Sequence, residues 1–511
     1  MSQISVNHLT FSYEGSIDNV FEDVSFALDT DWKLGFIGRN GKGKTTFLQL
    51  LLGRYPYQGR IEKSVNAAYF PYTLSAAQTA QSAAEFIGDL KPDCELWRVI
   101  CELSELAEDA EILYRPFCTL SLGERTKILL AVLFSGGNDF LLIDEPTNHL
   151  DHNAREIVKR YLSAKKGFIL VSHDRDLLDA CIDHVLVLNR KTIEVQSGNF
   201  SSWWENKQYQ DQFAVAENEK HRKEIKKLRQ AAKRTAEWAD KSEQSKIGFD
   251  PVKEHDRCIS TRSYIGAKTK KMQSRVKQME KRISVEIEEK EGLLQNLEKT
   301  ADLKLTKLVH HKNTLIHLRG FGLRYEGAET PVFTNLSFDL ERGDRIALHG
   351  ANGCGKSTLI RRILQAVGMD DSETVLHESG ICEVASGLKV SYVNQDTSGL
   401  AGSILAFCDA RGLEQSLFCA ILRQLDFDRA QFSKNMTDFS EGQKKKVLLA
   451  ASLMTPAHLY IWDEPLNYID VFSRMQLEKL LLTYEPTMLF VEHDVRFREQ
   501  IATKTVTIGT D

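Results

Sequence analysis

Short apolar runs punctuate the chain, and they come in matched pairs. Leu34–Ile37 and Ile346–Leu348 each lead into a glycine-rich stretch. Phe140–Ile143 and Leu459–Trp462 each end in two carboxylates, and Phe168–Val171 and Met488–Val491 each end near a histidine. Runs this short read as buried strands, and their alternation with helical segments predicts a largely parallel sheet covered by helices. Between the two sets the period changes. Ile225, Leu228, Ala232, Ala236 and Ala239 recur at three and four residues, as do Met272, Val276, Met279, Ile283 and Ile287. That spacing predicts two amphipathic helices in antiparallel contact, over 205–239 and 267–296. Each would run about 45–50 Å at roughly 1.5 Å per residue. Residues 240–266, with Gly248, Pro251 and few aliphatics, read as the connecting tip.

The pairing of strands reflects an internal repeat. GRNGKGKTT from Gly38 returns as GANGCGKST from Gly350, and LSLGE from Leu120 as FSEGQ from Phe439. LLIDEPTNHLD from Leu141 returns as LYIWDEPLNYID from Leu459, and VSHD from Val171 as VEHD from Val491. Ser121 to Glu145 and Ser440 to Glu464 are both 24 residues, and the steps on to His173 and His493 are 28 and 29. Four motifs in one order, twice, predict two copies of one α/β domain, over 1–204 and 309–511, joined by a helical hairpin over 205–308.

Each copy carries the pattern G-x-x-x-x-G-K-[ST] directly after a strand. The first loop is Gly38, Arg39, Asn40, Gly41, Lys42, Gly43, Lys44, Thr45 and Thr46. The second is Gly350, Ala351, Asn352, Gly353, Cys354, Gly355, Lys356, Ser357 and Thr358. Glycines let backbone N–H groups converge on phosphate oxygens at a helix N-terminus, so both loops read as ATP sites. Lys44 and Lys356 are expected to reach the β- and γ-phosphates, and Thr45 and Ser357 to ligate Mg²⁺ with Asp144 and Asp463. Glu145 and Glu464 are placed to orient or deprotonate a water aimed at the γ-phosphate, and His173 and His493 to contact that phosphate.

On these motifs the sequence resembles the ATP-binding cassette superfamily, with both nucleotide-binding domains on one chain. The resemblance implies tandem ABC-type P-loop domains that close head-to-tail over two nucleotides. Ser440 and Gly442 would then complete the site of Lys44, and Ser121 and Gly123 the site of Lys356. It also implies that Tyr13 and Tyr325 stack on adenine and that Gln395 is the Q-loop glutamine, a further Mg²⁺ ligand. The first copy departs here, with Tyr72 at the matching place, which makes the Lys44 site the expected slower one. Leu122 and Glu441 stand where the family's signature has its first glycine.

Nothing in the sequence approaches the roughly 18–20 apolar residues of a membrane helix, and the start carries no secretion signal. Nine cysteines without a C-x-x-C pair fit reduced thiols in a cytoplasmic protein. The formal net charge of −5 conceals a division. Residues 220–281 hold 19 basic and 8 acidic side chains, an excess of 11, which leaves −16 for the remainder. Lys223, Lys226, Lys227 and Arg229 crowd one predicted helix, and Lys268, Lys270, Lys271, Arg275 and Lys277 the other. Such a basic hairpin suits RNA phosphates.

Cassettes without membrane helices, joined by such a hairpin, resemble the ABC-F class. TDWKLGFIGRNGKGKTT, YRPFCTLSLGERTK, SYIGAKTKKMQSRVKQ and LYIWDEPLNYID are similar to its antibiotic-resistance group, particularly Lsa-like members. The group implies a monomer that binds the E site of the bacterial 70S ribosome, against 23S rRNA and P-site tRNA. Its tip would dislodge lincosamides, pleuromutilins or streptogramin A. A housekeeping translation factor of the same class, or the ATPase of a membrane transporter, are the alternatives.

Overall fold

The structure is a computed structural model. It describes residues 2–14, 19–92, 94–137, 139–148, 150–189, 192–244, 270, 274, 277–279, 281–286, 305–351, 353–370, 376–425, 427 and 429–509. Two compact units emerge: 1–203 together with 301–511, and 204–300.

In the first cassette the strands are β1 (Gln3–Phe11), β2 (Phe21–Asp29), β3 (Lys33–Gly38), β4 (Gln58–Lys63), β5 (Asn66–Phe70), β6 (Asp139–Asp144), β7 (Phe168–Val171), β8 (His184–Leu188) and β9 (Ile193–Ser197). The main sheet has the order β5-β6-β7-β3-β8-β9, parallel except for the β8–β9 edge pair. A second sheet, β2-β1-β4, is antiparallel. Its strands alternate inward and outward residues, and Val6, Leu9 and Phe11 of β1 are buried.

The second cassette repeats this plan with β10 (Thr314–Tyr325), β11 (Phe333–Glu341), β12 (Arg345–His349), β13 (Leu376–Val384), β14 (Val390–Val393), β15 (Leu459–Asp463), β16 (Met488–Val491) and β17 (Lys504–Thr507). Here the parallel order is β14-β15-β16-β12-β17 and the antiparallel sheet is β11-β10-β13. The parallel sheets follow the apolar runs. The antiparallel sheets were not expected from them, because their strands are half-polar and the pairs β1–β4 and β10–β13 close over intervening elements.

The helix behind each phosphate loop lies in the core shared by the two sheets. Phe47 of the helix Lys44–Leu51 is fully buried and meets Phe21, Phe26 and Phe36 with ring centroids 5.4–6.0 Å apart. Leu359, Ile360, Ile363 and Leu364 do the same in the helix Lys356–Val367. Burying a Phe, Leu or Ile side chain is worth about 1.5–3 kcal/mol each. That packing holds the loop at the tip of its strand and fixes the direction of its N–H groups.

In the second unit one helix, Phe200–Gln244, runs 45 residues, longer than its predicted span. The described residues 270, 274, 277–279 and 281–286 are helical too. Ile225 and Ile283 are buried, as their spacing predicts, whereas Met279 is 54% exposed. Met272, Val276, Ile287 and the tip from residue 245 lie outside the described residues. Among the described residues, no helix is long and apolar enough to cross a membrane.

Candidate nucleotide sites

Both loops turn sharply from strand to helix through left-handed glycines. Gly43 and Gly355 have φ of 106° and 98°, and a Cβ on either would strike the neighbouring Val20 or Val332 at 2.6 and 2.4 Å. Lys44 and Lys356 are 8% and 7% exposed. The Lys44 ammonium donates to the carbonyl of Gly38 (2.6 Å) and to Asn40 Oδ1 (3.1 Å). Lys356 donates to the carbonyls of Gly350 and Ala351, both at 2.8 Å, with Cys354 Sγ 3.8 Å away. Each cation is thus folded back over its loop, where a phosphate would replace the carbonyls. Arg39, Gly41 and Lys42 form the outer turn of the first loop, as Gly353 does in the second; Asn352 lies outside the described residues.

Asp144 and Asp463 end β6 and β15 as expected. Thr45 Oγ1 donates to Asp144 Oδ2 at 2.8 Å, and the Tyr69 hydroxyl reaches the same oxygen at 3.3 Å. Ser357 bonds Asp463, whose carboxyl is pushed up to about 6 by burial. Asp463 Oδ1 is buried with no hydrogen-bond partner among the described residues. Hydroxyl and carboxylate oxygens clustered beside a phosphate loop are the hard donors Mg²⁺ takes, so the residues fit that ion.

The glutamates that follow adopt left-handed backbones, φ 52° at Glu145 and 47° at Glu464. A non-glycine residue is strained there, by about 1–3 kcal/mol. Hydrogen bonds to the next strand hold them: Glu145 N to the Val171 carbonyl (2.9 Å) and Glu464 N to the Val491 carbonyl (3.0 Å). His173 Nε2 lies 3.3 Å from Glu145 Oε1, and His493 Nε2 3.4 Å from Glu464 Oε1.

Beyond this shared frame the two sites differ. Glu464 Oε2 accepts from Gln395 Nε2 (2.8 Å) and Asn467 Nδ2 (2.6 Å). Burial would raise its carboxyl, but His493 and Lys445 beside it outweigh burial and hold it below the usual range. Glu145 Oε1 is buried without a hydrogen-bond partner among the described residues. Burial, with Asp144 adjacent, pushes the Glu145 carboxyl up to about 8. His173 is driven well below its ordinary value by burial and by Lys44 and Arg474, so its ring is neutral. Tyr72 stands two residues past Phe70 of β5, as Gln395 stands two past Val393 of β14, and burial, with Asp139 and Cys94 adding to it, raises its hydroxyl.

The aromatic candidates sit beside the loops. The Tyr13 hydroxyl pairs with Thr46 Oγ1 at 2.6 Å and the Tyr325 hydroxyl with Thr358 Oγ1 at 2.9 Å. Both rings stay partly exposed, and Tyr13 meets Phe11 and Tyr55 edge-on.

Ser121 and Ser440 cap the helices Leu122–Phe134 and Glu441–Met454, each in a capping box, with Glu124 and Gln443 respectively. Gly442 packs on Tyr468, whose carbonyl would lie 2.6 Å from a Cβ there. That same carbonyl accepts from Asn40 Nδ2 of the first phosphate loop at 2.8 Å. The second signature therefore abuts the first loop. The matching residues His149 and Asn352 lie outside the described residues.

Ion pairs also join the cassettes. Arg175, two residues past His173, forms a bidentate pair with Glu478, and Arg496 binds Asp176 (2.5 Å) and Asp179 (2.6 Å). Sequence reasoning missed Arg175, Glu478 and Lys445. The repeat marks them only as mismatches, since Val495, Lys159 and Thr126 stand at the corresponding places.

The model of the ABC transporter family matches residues 21–148 and 333–467, just over half of the chain. The ribosome protection protein VmlR of Bacillus subtilis is 28% identical over 510 residues, 98% of this chain and 86% of VmlR. The erythromycin resistance ATP-binding protein MsrA of Staphylococcus epidermidis is 27% identical over 486 residues, covering 92% of this chain and 91% of MsrA. The archaeal ribosome recycling factor aABCE1, solved with the stalk protein aP1, shares the fold at a TM-score of 0.59 and 18% identity, over 98% of this chain and 87% of its own. The chain belongs to the ABC transporter family, with two ABC ATPase domains in tandem.

Proposed function

We propose that this ATPase binds the bacterial 70S ribosome when its cassettes close on two ATP molecules, and that its linker protects the ribosome from antibiotics. The observation that carries the reading is the basic linker, an excess of 11 positive charges between two cassettes of an otherwise acidic chain. Phosphate-rich RNA is the partner such a charge distribution attracts. The names of VmlR and MsrA support the protective role. In this reading the protein is cytoplasmic and acts as a monomer, its two cassettes closing on each other.

In hydrolysis, backbone N–H groups of Gly38–Thr46 and Gly350–Thr358 cradle the phosphates, and Lys44 and Lys356 leave their loop carbonyls to bind them. Ser440 and Gly442 close over the Lys44 site, and Ser121 and Gly123 over the Lys356 site. Glu145 and Glu464 take the proton of the attacking water as its oxygen bonds the γ-phosphorus, and the bond to the β-phosphate oxygen breaks to release ADP. His173 and His493 hold the γ-phosphate, and Tyr13 and Tyr325 the base. Mg²⁺, held by Thr45 and Asp144 or by Ser357, Asp463 and Gln395, would neutralise charge on the phosphate oxygens. Hydrolysis then opens the cassettes and releases the ribosome.

With the linker at the E site, near 23S rRNA and P-site tRNA, its tip at 240–266 would displace lincosamides, pleuromutilins or streptogramin A. The test replaces both glutamates with glutamine. The double variant should co-sediment with 70S ribosomes in ATP and not without it, and unchanged ATP turnover would refute both bases. Expression of the native protein should raise resistance in a susceptible bacterium, and deletion of 240–266 should abolish that while sparing ATPase activity. Ribosome binding with unchanged susceptibility would leave a translation factor.

A further inference from the structure

Lys445 is a lysine in the wrong place for a surface helix. It lies on the helix Glu441–Met454, five residues past Ser440, and is 2% exposed. A buried ammonium costs several kcal/mol unless its protons find acceptors. Here they find main-chain carbonyls: that of Asn394 at 2.8 Å and that of Asp463 at 3.3 Å. Asn394 precedes Gln395, and Asp463 precedes Glu464. The side chains of those two following residues are themselves bonded, Gln395 Nε2 to Glu464 Oε2 at 2.8 Å.

One ammonium therefore ties together the two backbone segments that carry a hydrogen-bonded pair. A second link joins the same elements, because Thr397 donates to the carboxylate of Glu441 at the start of the same helix. The first cassette has the residues for neither link. Thr126 stands at the place of Lys445, Leu122 at that of Glu441, and Tyr72 at that of Gln395.

We propose that Lys445 is a positioning residue for ATP hydrolysis at the Lys356 site, acting by holding Asn394 and Asp463 so that Gln395 and Glu464 meet as one unit. This rests on the reading of Glu464 as the base. The Lys445 ammonium bonds main-chain carbonyls, not the Glu464 side chain, so it acts through where that carboxylate points. A displaced carboxylate loses turnover more than substrate affinity, since a misplacement near 1 Å can cost about a hundredfold in rate.

The test is made in full-length protein carrying Glu145→Gln, so that turnover reports the Lys356 site. Lys445→Met should lower kcat about tenfold or more, with KM for ATP within about twofold. Lys445→Arg, which keeps donors for both carbonyls, should recover most of the rate. In a Gln395→Ala background the added effect of Lys445→Met should shrink, because the pair it aligns is already broken. Melting temperature identifies any variant that fails to fold, and Lys445→Gln, a milder polar replacement, then takes its place with an intermediate rate expected. Full turnover in folded Lys445→Met or Lys445→Gln would overturn the proposal, as would an equal effect with and without Gln395. A parallel Glu145→Gln, Glu464→Gln double variant keeps the premise separate. If that protein still turns over ATP, the base assignment has failed; if it is inactive while Lys445→Met is not, the positioning role has.

Discussion

Asn40 and Tyr468, 428 residues apart in sequence, share one hydrogen bond of 2.8 Å from the Asn40 amide to the Tyr468 carbonyl. Tyr468 has φ of 62°, and Gly442 lies directly against the same carbonyl. Three segments thus converge on one main-chain oxygen: the first phosphate loop, the loop after the second Asp-Glu pair, and the second signature.

Gly442→Ala places a Cβ 2.6 Å from that oxygen, and backbone cannot step aside as a side-chain tip does. The variant should melt lower, by about 1–3 kcal/mol in chemical unfolding. Gly123→Ala meets its nearest neighbour, Leu150 Cδ2, only at 3.7 Å, so its unfolding should shift by no more than about 1 kcal/mol. Equal effects in the two signatures would contradict the contact.

Removing one partner of a buried pair leaves the other charge unpaired. Arg175 and Glu478 have side chains 5% and 7% exposed, so Arg175→Met should cost about 3–5 kcal/mol of stability. Arg175→Met with Glu478→Leu should regain most of it. Burial already raises the Glu478 carboxyl, and losing the arginine raises it further. The single variant should therefore be penalised less as pH falls and Glu478 takes up a proton. Unfolding curves at pH 5.5 and pH 8 check the sign.

The Glu145 carboxyl, pushed up to about 8, holds its proton below that pH and becomes a base as pH rises through it. Glu464, held below the usual carboxylate range, is ionised throughout. With Glu464→Gln, kcat/KM for ATP should rise several-fold between pH 7 and 9; with Glu145→Gln it should stay flat over that interval. The free enzyme sets the profile of kcat/KM, which makes it the quantity to measure. Superimposable profiles would show that the two carboxylates titrate alike.

Lys223, Lys226, Lys227 and Arg229 are exposed on the long helix. Replacing them with glutamine should weaken ribosome binding most at low salt. For every RNA phosphate that one of these cations neutralises, the substitution should lower the slope of log K against log salt by about 0.7–0.9. A slope unchanged in the quadruple variant would remove this face from the RNA interface.

What the sequence made legible was local. A phosphate loop, a strand ending in Asp-Glu and a serine cap are each built from neighbours along the chain, so their residues announce themselves. The antiparallel sheets did not, because β1 hides its core residues, Val6, Leu9 and Phe11, among polar ones, and one of its partners, β4, lies beyond β3 and the phosphate-loop helix. Tyr72 shows the limit of alignment by spacing: it matches Gln395 in position but brings a phenol where the second copy has an amide bonded to Glu464. Met279 keeps the helical period and is still exposed, since periodicity says which residues share a face but not how far a neighbour covers it. Contacts such as Arg175 with Glu478 join positions some 300 residues apart and do not repeat, so no internal comparison could pair them.

That last asymmetry bears on which cassette can accept which. The place of Glu478 is taken by Lys159 in the first copy, and the place of Arg175 by Val495 in the second. Two first cassettes brought face to face would set Arg175 against Lys159, like against like, and two second cassettes would bury Glu478 against a valine. Only the mixed pairing satisfies the buried charge. The ion pair works as a key that discriminates unlike from like, steering a first cassette toward a second cassette and away from another of its own kind.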